Sequence, residues 1–216
     1  MTWEQYAAAW SALHGGFDPR TATPVVRGWI RLAYRGGGLL ASLGVGPAAV
    51  TLAGLLLCAG VPFVPPLAGA LLVLLAGIAD ALDGAVAVVA GRATRLGFVY
   101  DSVADRLGEL AWLAAFWVAG APGWLVVTGL ALSWLHEYVR ARAAAGGMQG
   151  VGVVTVGERP SRVSVAAAGL AVAGVAGLVQ PGWDRPGATL AVTVWSVLSV
   201  IGFGQLLAAV RRALID

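Results

Sequence analysis

From residue 47 to residue 213 the sequence is a succession of apolar runs, nearly all long enough for a helix to cross a bilayer, divided by proline or glycine. Inside lipid a backbone must satisfy its own hydrogen bonds, so runs of this kind fold as helices. They read as 47–60, 66–90, 95–120, 122–145, 160–179 and 188–213. The first is short by itself and is expected to continue a helix that begins near Leu39. The chain is 59% hydrophobic and 12% charged, more apolar surface than a soluble domain of this length can bury. The expected fold is all-α: a polytopic membrane protein with six transmembrane helices and an N-terminal amphipathic juxtamembrane helix.

Residues 1–16 lack the basic start and continuous apolar core of a signal peptide. They read as a short surface helix with Trp3 and Trp10 as interfacial anchors. Next, Arg27, Arg31 and Arg35 recur every fourth residue among apolar neighbours, the pattern of a helix lying in the headgroup layer. An ordinary amphipathic helix packed on protein would show the same pattern. Gly36-Gly37-Gly38 is expected to loosen the chain before the apolar region. The division is therefore 1–37 as cytoplasmic or interfacial helices and 38–216 as the six-helix domain.

All fourteen basic residues are arginine, which excludes a Walker A phosphate loop and a Schiff-base lysine. The single cysteine, Cys58, excludes an intrachain disulfide and reads as a small buried hydrophobe. With a cytoplasmic amino terminus, six spans put every arginine on the cytoplasmic side except Arg185 outside and Arg106 within a span. Trp112, Phe116, Trp117, Trp124 and Trp183 collect at the outer ends as an aromatic belt. The arginine-only, alanine- and glycine-rich composition points to a high-GC bacterial source, hence a plasma membrane with both termini cytoplasmic.

Four aspartates interrupt this apolar background. Asp80 and Asp83 lie three apart near the end of the second run; Asp101 and Asp105 lie four apart near the start of the third. Those spacings place each pair on one helix face, and the short link at 91–94 makes the two helices antiparallel neighbours. Ionisable residues at membrane depth are costly and mark function by default. Four converging carboxylates repel unless cations intervene, and an all-oxygen set without His or Cys favours Mg²⁺ or Mn²⁺ over zinc. Two such ions would suit phosphoryl transfer. A cation or proton pathway, or structural pairing with arginines, would also use buried carboxylates. Gly84, directly after Asp83, and Gly97, one turn before Asp101, suit a close approach of ligand or helix to the backbone.

The run Asp80-Ala-Leu-Asp83-Gly84-Ala-Val-Ala87, followed by Gly97-Phe-Val-Tyr-Asp101-Ser-Val-Ala-Asp105, resembles the signature of the CDP-alcohol phosphatidyltransferases, with every spacing kept. The resemblance implies transfer of a phosphatidyl-type group from a CDP-alcohol, such as CDP-diacylglycerol, to an acceptor hydroxyl, with CMP leaving. It implies two metal ions held by Asp80, Asp83, Asp101 and Asp105, Asp105 also serving as general base, and Gly84 and Thr94 at the CDP-alcohol. The family arginine that follows Ala87 and contacts the pyrophosphate is here Val88, so Arg92, one turn on, or Arg95 is expected to replace its charge. Gly46-Pro47-Ala48-Ala49-Val50-Thr51 is similar to the family motif at the first span, with its first threonine and its asparagine lost.

Tyr138-Val-Arg140-Ala-Arg142, then Glu158-Arg159-Pro160-Ser-Arg162, resembles the branch whose acceptors are phosphorylated polyols, and implies that Arg140 contacts the acceptor phosphate. Arg142, Arg159 and Arg162 are acceptor-binding candidates beside it, because arginine holds phosphate in two bonds; marking the cytoplasmic side is their other reading. His136-Glu137 opens like a zinc-protease motif, but position 140 is arginine, so that reading fails. Glu109 reads as a support for the aspartates or a helix contact. The expected partners are a CDP-diacylglycerol-like lipid nucleotide, a small polar or phosphorylated acceptor, membrane lipids and, by the resemblance, a second copy of the chain; no nucleic-acid partner is expected. Two other functions remain compatible with these residues: an impaired relative acting as a membrane scaffold, and an aspartate-based transporter.

Overall fold

Proline opens most of the long helices, where its fixed φ suits the first turn and its missing N–H costs nothing. The computed structural model describes residues 1–148 and 154–215. In chain order the helices are α1 (Trp3–Leu13), α2 (Pro24–Ser42), α3 (Pro47–Gly60), α4 (Pro66–Val89), α5 (Arg95–Val118), α6 (Gly123–Ala145), α7 (Arg159–Val179) and α8 (Asp184–Leu214), with a 3-10 turn at Val61–Phe63. No strand occurs among the described residues.

Three helices, α4, α7 and α8, are long and apolar enough to cross a membrane. The count is four if α2 and α3 with the following 3-10 turn form one broken span, bent by 114°. α5 has the length, but Arg95, Asp101, Asp105, Arg106 and Glu109 interrupt it. α6 carries His136, Glu137, Arg140 and Arg142 in its second half.

The chain divides into two units, Met1–Leu56 with Leu75–Asp105, and Leu57–Leu74 with Arg106–Asp216. In the first, Thr2 and Gln5 form a capping box that starts α1, which packs on α2. Trp3, Tyr6 and Tyr34 pack ring against ring, and the Tyr34 hydroxyl donates to the Met1 carbonyl at 2.6 Å.

The three glycines at 36–38 do not loosen the chain. α2 runs helical through them to Ser42, so α3 begins at Pro47 and not near Leu39. A Cβ on Gly37 would stand 2.7 Å from the Ala85 Cβ, and one on Gly36 would stand 2.6 Å from Leu82 Cδ2. These glycines admit α4 against the α2 backbone, and that close packing outweighs their low helix propensity.

In the second unit, α8 packs on α6 and α7 through small residues: Gly187 lies against Ala173, and Gly169 against Ala191. Buried Trp195 donates its indole N–H to the Ser133 hydroxyl at 2.9 Å, linking α8 to α6.

Candidate metal centre and arginine cluster

The turn between α4 and α5 is built by two local signals. Gly91, with φ 63°, stops α4: its N–H reaches the Val88 carbonyl at 3.2 Å and the Arg92 N–H reaches the Ala87 carbonyl at 2.8 Å. That pairing is a Schellman motif, which needs a left-handed residue where glycine is least strained. Three residues after Gly91, Thr94 accepts the Gly97 N–H at 3.0 Å and caps α5. Thr94 thus has a structural duty, while its hydroxyl proton is still able to donate to a ligand.

The stop and the cap bring the acidic pairs together. One carboxylate oxygen from each of Asp80, Asp101 and Asp105 lies within 4.8 Å of the others, and all three residues are half-buried. Three carboxylates this close repel strongly at reduced dielectric, and a hard divalent cation relieves that repulsion. The donor set therefore fits magnesium or manganese. Asp83 is 7% exposed and differs from the three: its Oδ2 accepts the Thr51 hydroxyl at 2.7 Å. Thr51 stood in the sequence only as one letter of a degraded motif. Its part in orienting Asp83 comes from α3 folding beside α4, a contact between residues 32 apart. Gly84 is exposed, and a Cβ there would meet no atom within 4 Å, so its backbone is open to a ligand.

Position 88 is built into an apolar cluster. Val88 is 6% exposed and packs with Tyr6, Ile30, Ala33 and Ala85, with Trp3, Trp10 and Tyr34 around them. Burial pushes the Tyr6 phenol up to about 12. A guanidinium placed in this cluster would lose its water without a partner. Val88→Arg is therefore expected to destabilise the protein by about 3 kcal/mol, read as a lower thermal midpoint in detergent. Tighter binding of a CDP-lipid at an unchanged midpoint would refute that. Arg92 is exposed, and its Nη1 lies 3.7 Å from where a Cβ on Gly46 would stand, so its guanidinium extends over the start of α3.

The second unit holds the other arginines. Arg162, only 3% exposed, reaches Glu109 at 2.8 Å and Glu137 at 3.3 Å. Arg106 reaches the same two carboxylates at 3.0 and 3.4 Å. Arg140 pairs with Glu158 and stands 4.0 Å from Glu137. Arg159 lies 5.8 Å from the Trp112 ring centre, a cation–π distance. Arg142 is exposed in the last turn of α6, where the helix dipole favours a cation. Buried His136 bonds Thr155 through Nε2 at 3.0 Å, a structural contact for the residue that opened the failed zinc motif. The sequence displayed Glu109, Glu137 and Glu158, but periodicity does not show which carboxylate finds which arginine.

Comparison with known proteins agrees with this chemistry. The CDP-alcohol phosphatidyltransferase family profile matches residues 45–207. The phosphatidylinositol phosphate synthase of Mycolicibacterium smegmatis is 38% identical over 155 residues, 67% of this chain and 66% of that protein. Among solved structures, the Mycobacterium tuberculosis phosphatidylinositol phosphate synthase with CDP-DAG bound matches at a TM-score of 0.68 and 28% identity, over 86% of this chain and 98% of that one. The same synthase in complex with manganese and citrate matches at 0.68 and 27%, over 85% and 92%.

Proposed function

The chain belongs to the CDP-alcohol phosphatidyltransferases, membrane enzymes that pass a phosphatidyl-type group from a CDP-alcohol to an acceptor hydroxyl, and from that premise we propose that its donor is CDP-diacylglycerol and its acceptor a phosphorylated polyol such as inositol phosphate. The observation that carries the reaction is the convergence of Asp80, Asp101 and Asp105 beside an open Gly84 backbone. The relatives that bear the same activity in their names supply the acceptor class.

In this reading Asp80, Asp101 and Asp105, with Asp83 held by Thr51, carry two magnesium or manganese ions. Bound there, the metal neutralises the pyrophosphate and the departing CMP. Asp105 takes the proton of the acceptor hydroxyl. The acceptor oxygen then forms a bond to the lipid-side phosphorus as the bridge to the CMP phosphate breaks, and CMP leaves with that electron pair. Arg92, with Thr94 and the Gly84 backbone, holds the nucleotide diphosphate. Arg140 binds the acceptor phosphate, with Arg142 and Arg159 as further contacts. Arg162, enclosed by Glu109 and Glu137, acts by holding that group of charges in place.

Six spans follow if α5 and α6 also cross the membrane. Their 24 and 23 residues suffice for a crossing, and their charged residues gather toward one end of each helix. The arginine distribution supports a cytoplasmic active site, and the arginine-only, alanine- and glycine-rich composition supports a bacterial plasma membrane, with α1 and α2 at its interface.

An acceptor panel tests the proposal. Purified protein is supplied with CDP-diacylglycerol, manganese, and inositol phosphate, glycerol phosphate, inositol or serine in turn. CMP release is expected with a phosphorylated polyol and near background with inositol and serine. Release with serine alone would overturn the acceptor assignment, and release with none would overturn the transferase reading.

A further inference from the structure

We infer that Glu158 is a resident anion that occupies the acceptor-phosphate position on Arg140, so that only an acceptor carrying its own strong negative charge displaces it. The inference rests on the assignment of Arg140 to the acceptor phosphate.

Three donors converge on one oxygen, Glu158 Oε1. They are Arg140 Nη2, the Thr155 N–H at 3.0 Å and the Thr155 hydroxyl at 3.0 Å. Thr155 Oγ1 also meets His136 Nε2 at 3.0 Å, and with the hydroxyl donating to the carboxylate, His136 donates to Thr155. A guanidinium, a backbone N–H and a hydroxyl around one anionic oxygen form the set that a phosphate oxygen would use.

Glu158 stands at the N-cap of α7, yet its side chain makes no capping bond to that helix and turns back to Thr155 and Arg140. Arg106 and Arg162 each pair with Glu109 and Glu137, and Arg140 pairs with Glu158. A phosphate approaching Arg140 meets the Glu158 carboxylate on the same guanidinium, and two anions competing for one donor set repel. Glu109 is fully buried between Arg106 and Arg162, and Glu137 is shared among three arginines. Glu158, 23% exposed and bonded to one arginine just ahead of α7, is the one able to leave. A neutral polyol has no charge with which to compete for Arg140, so Glu158 acts as a specificity-determining residue.

Glu158→Gln keeps an oxygen for both Thr155 donors and removes the competing charge. The KM for inositol phosphate is expected to fall about fivefold, with inorganic phosphate becoming a correspondingly stronger inhibitor. A purely structural Glu158, aligning Arg140 or closing the turn, requires the opposite, a raised KM. An unchanged or raised KM therefore overturns the inference. Should that variant not fold, Glu158→Ser, which removes the charge and suits the N-cap of α7, carries the same expectation. Adding Arg140→Ala is expected to abolish the gain. If Arg140→Ala alone leaves the inositol phosphate KM unchanged, the acceptor assignment itself fails; if it raises the KM while Glu158→Gln does not lower it, only the resident-anion inference fails.

Discussion

Asp105→Asn is expected to lower CMP release by about a thousandfold or more, because the change removes a proton acceptor and a charged oxygen from the same place. The carboxamide matches the carboxylate in shape, and Asp105 is half-buried, so helix α5 has no reason to unfold. Binding of CDP-diacylglycerol is expected to survive while turnover is lost. This pattern separates the transferase from both competing functions: a scaffold has no turnover to lose, and a transporter would lose cation flux without any CMP chemistry. A variant retaining a tenth or more of wild-type turnover would remove Asp105 from the role of base. Asp83→Asn is a useful contrast. Its carboxylate is tied to Thr51, so loss there includes a local orientation that the hydroxyl maintains from α3.

The second large effect is on stability. Arg162→Ala is expected to cost about 3 kcal/mol or more, since it leaves Glu109 fully buried with one of its two guanidiniums gone. For a chain of this size that is a fall of roughly 10 °C in the thermal midpoint in detergent. Replacing both partners, Arg162→Met with Glu109→Leu, is expected to recover most of the loss, because it removes the stranded charge and leaves Arg106 paired with Glu137. If Arg162→Ala melts at the wild-type temperature and only raises the acceptor KM, Arg162 belongs to the binding surface after all.

Arg162 also marks the limit of what the sequence reveals. An arginine near the start of a helix reads equally as a phosphate ligand, a topology marker or half of an ion pair. Only folding shows that two carboxylates, 53 and 25 residues away, enclose it. The aspartates were legible because their information is local: spacings of three and four fix a helix face, and Gly91 with Thr94 fixes the turn between the helices. The limits of α3 to α7 were legible for the same reason, whereas α8 starts at Asp184 and takes Pro186 and Gly187 into its first turn. Gly36-Gly37-Gly38 misled because a glycine's local effect, weakening a helix, opposed its long-range one, admitting Ala85 and Leu82. Val88 likewise stood out as a missing charge, although its surroundings, assembled from α1 and α2, are apolar. The resemblance rests on a local pattern too, and the family match extends beyond it over residues 45–207.

The most direct test of the metal-dependent transfer supplies purified protein with CDP-diacylglycerol and inositol phosphate and follows CMP and phosphorylated lipid together. The account predicts that both appear one for one, that both stop when EDTA removes divalent cations, and that both resume when manganese or magnesium is restored. Equal rates in EDTA, or CMP formed without a matching lipid product, would contradict it.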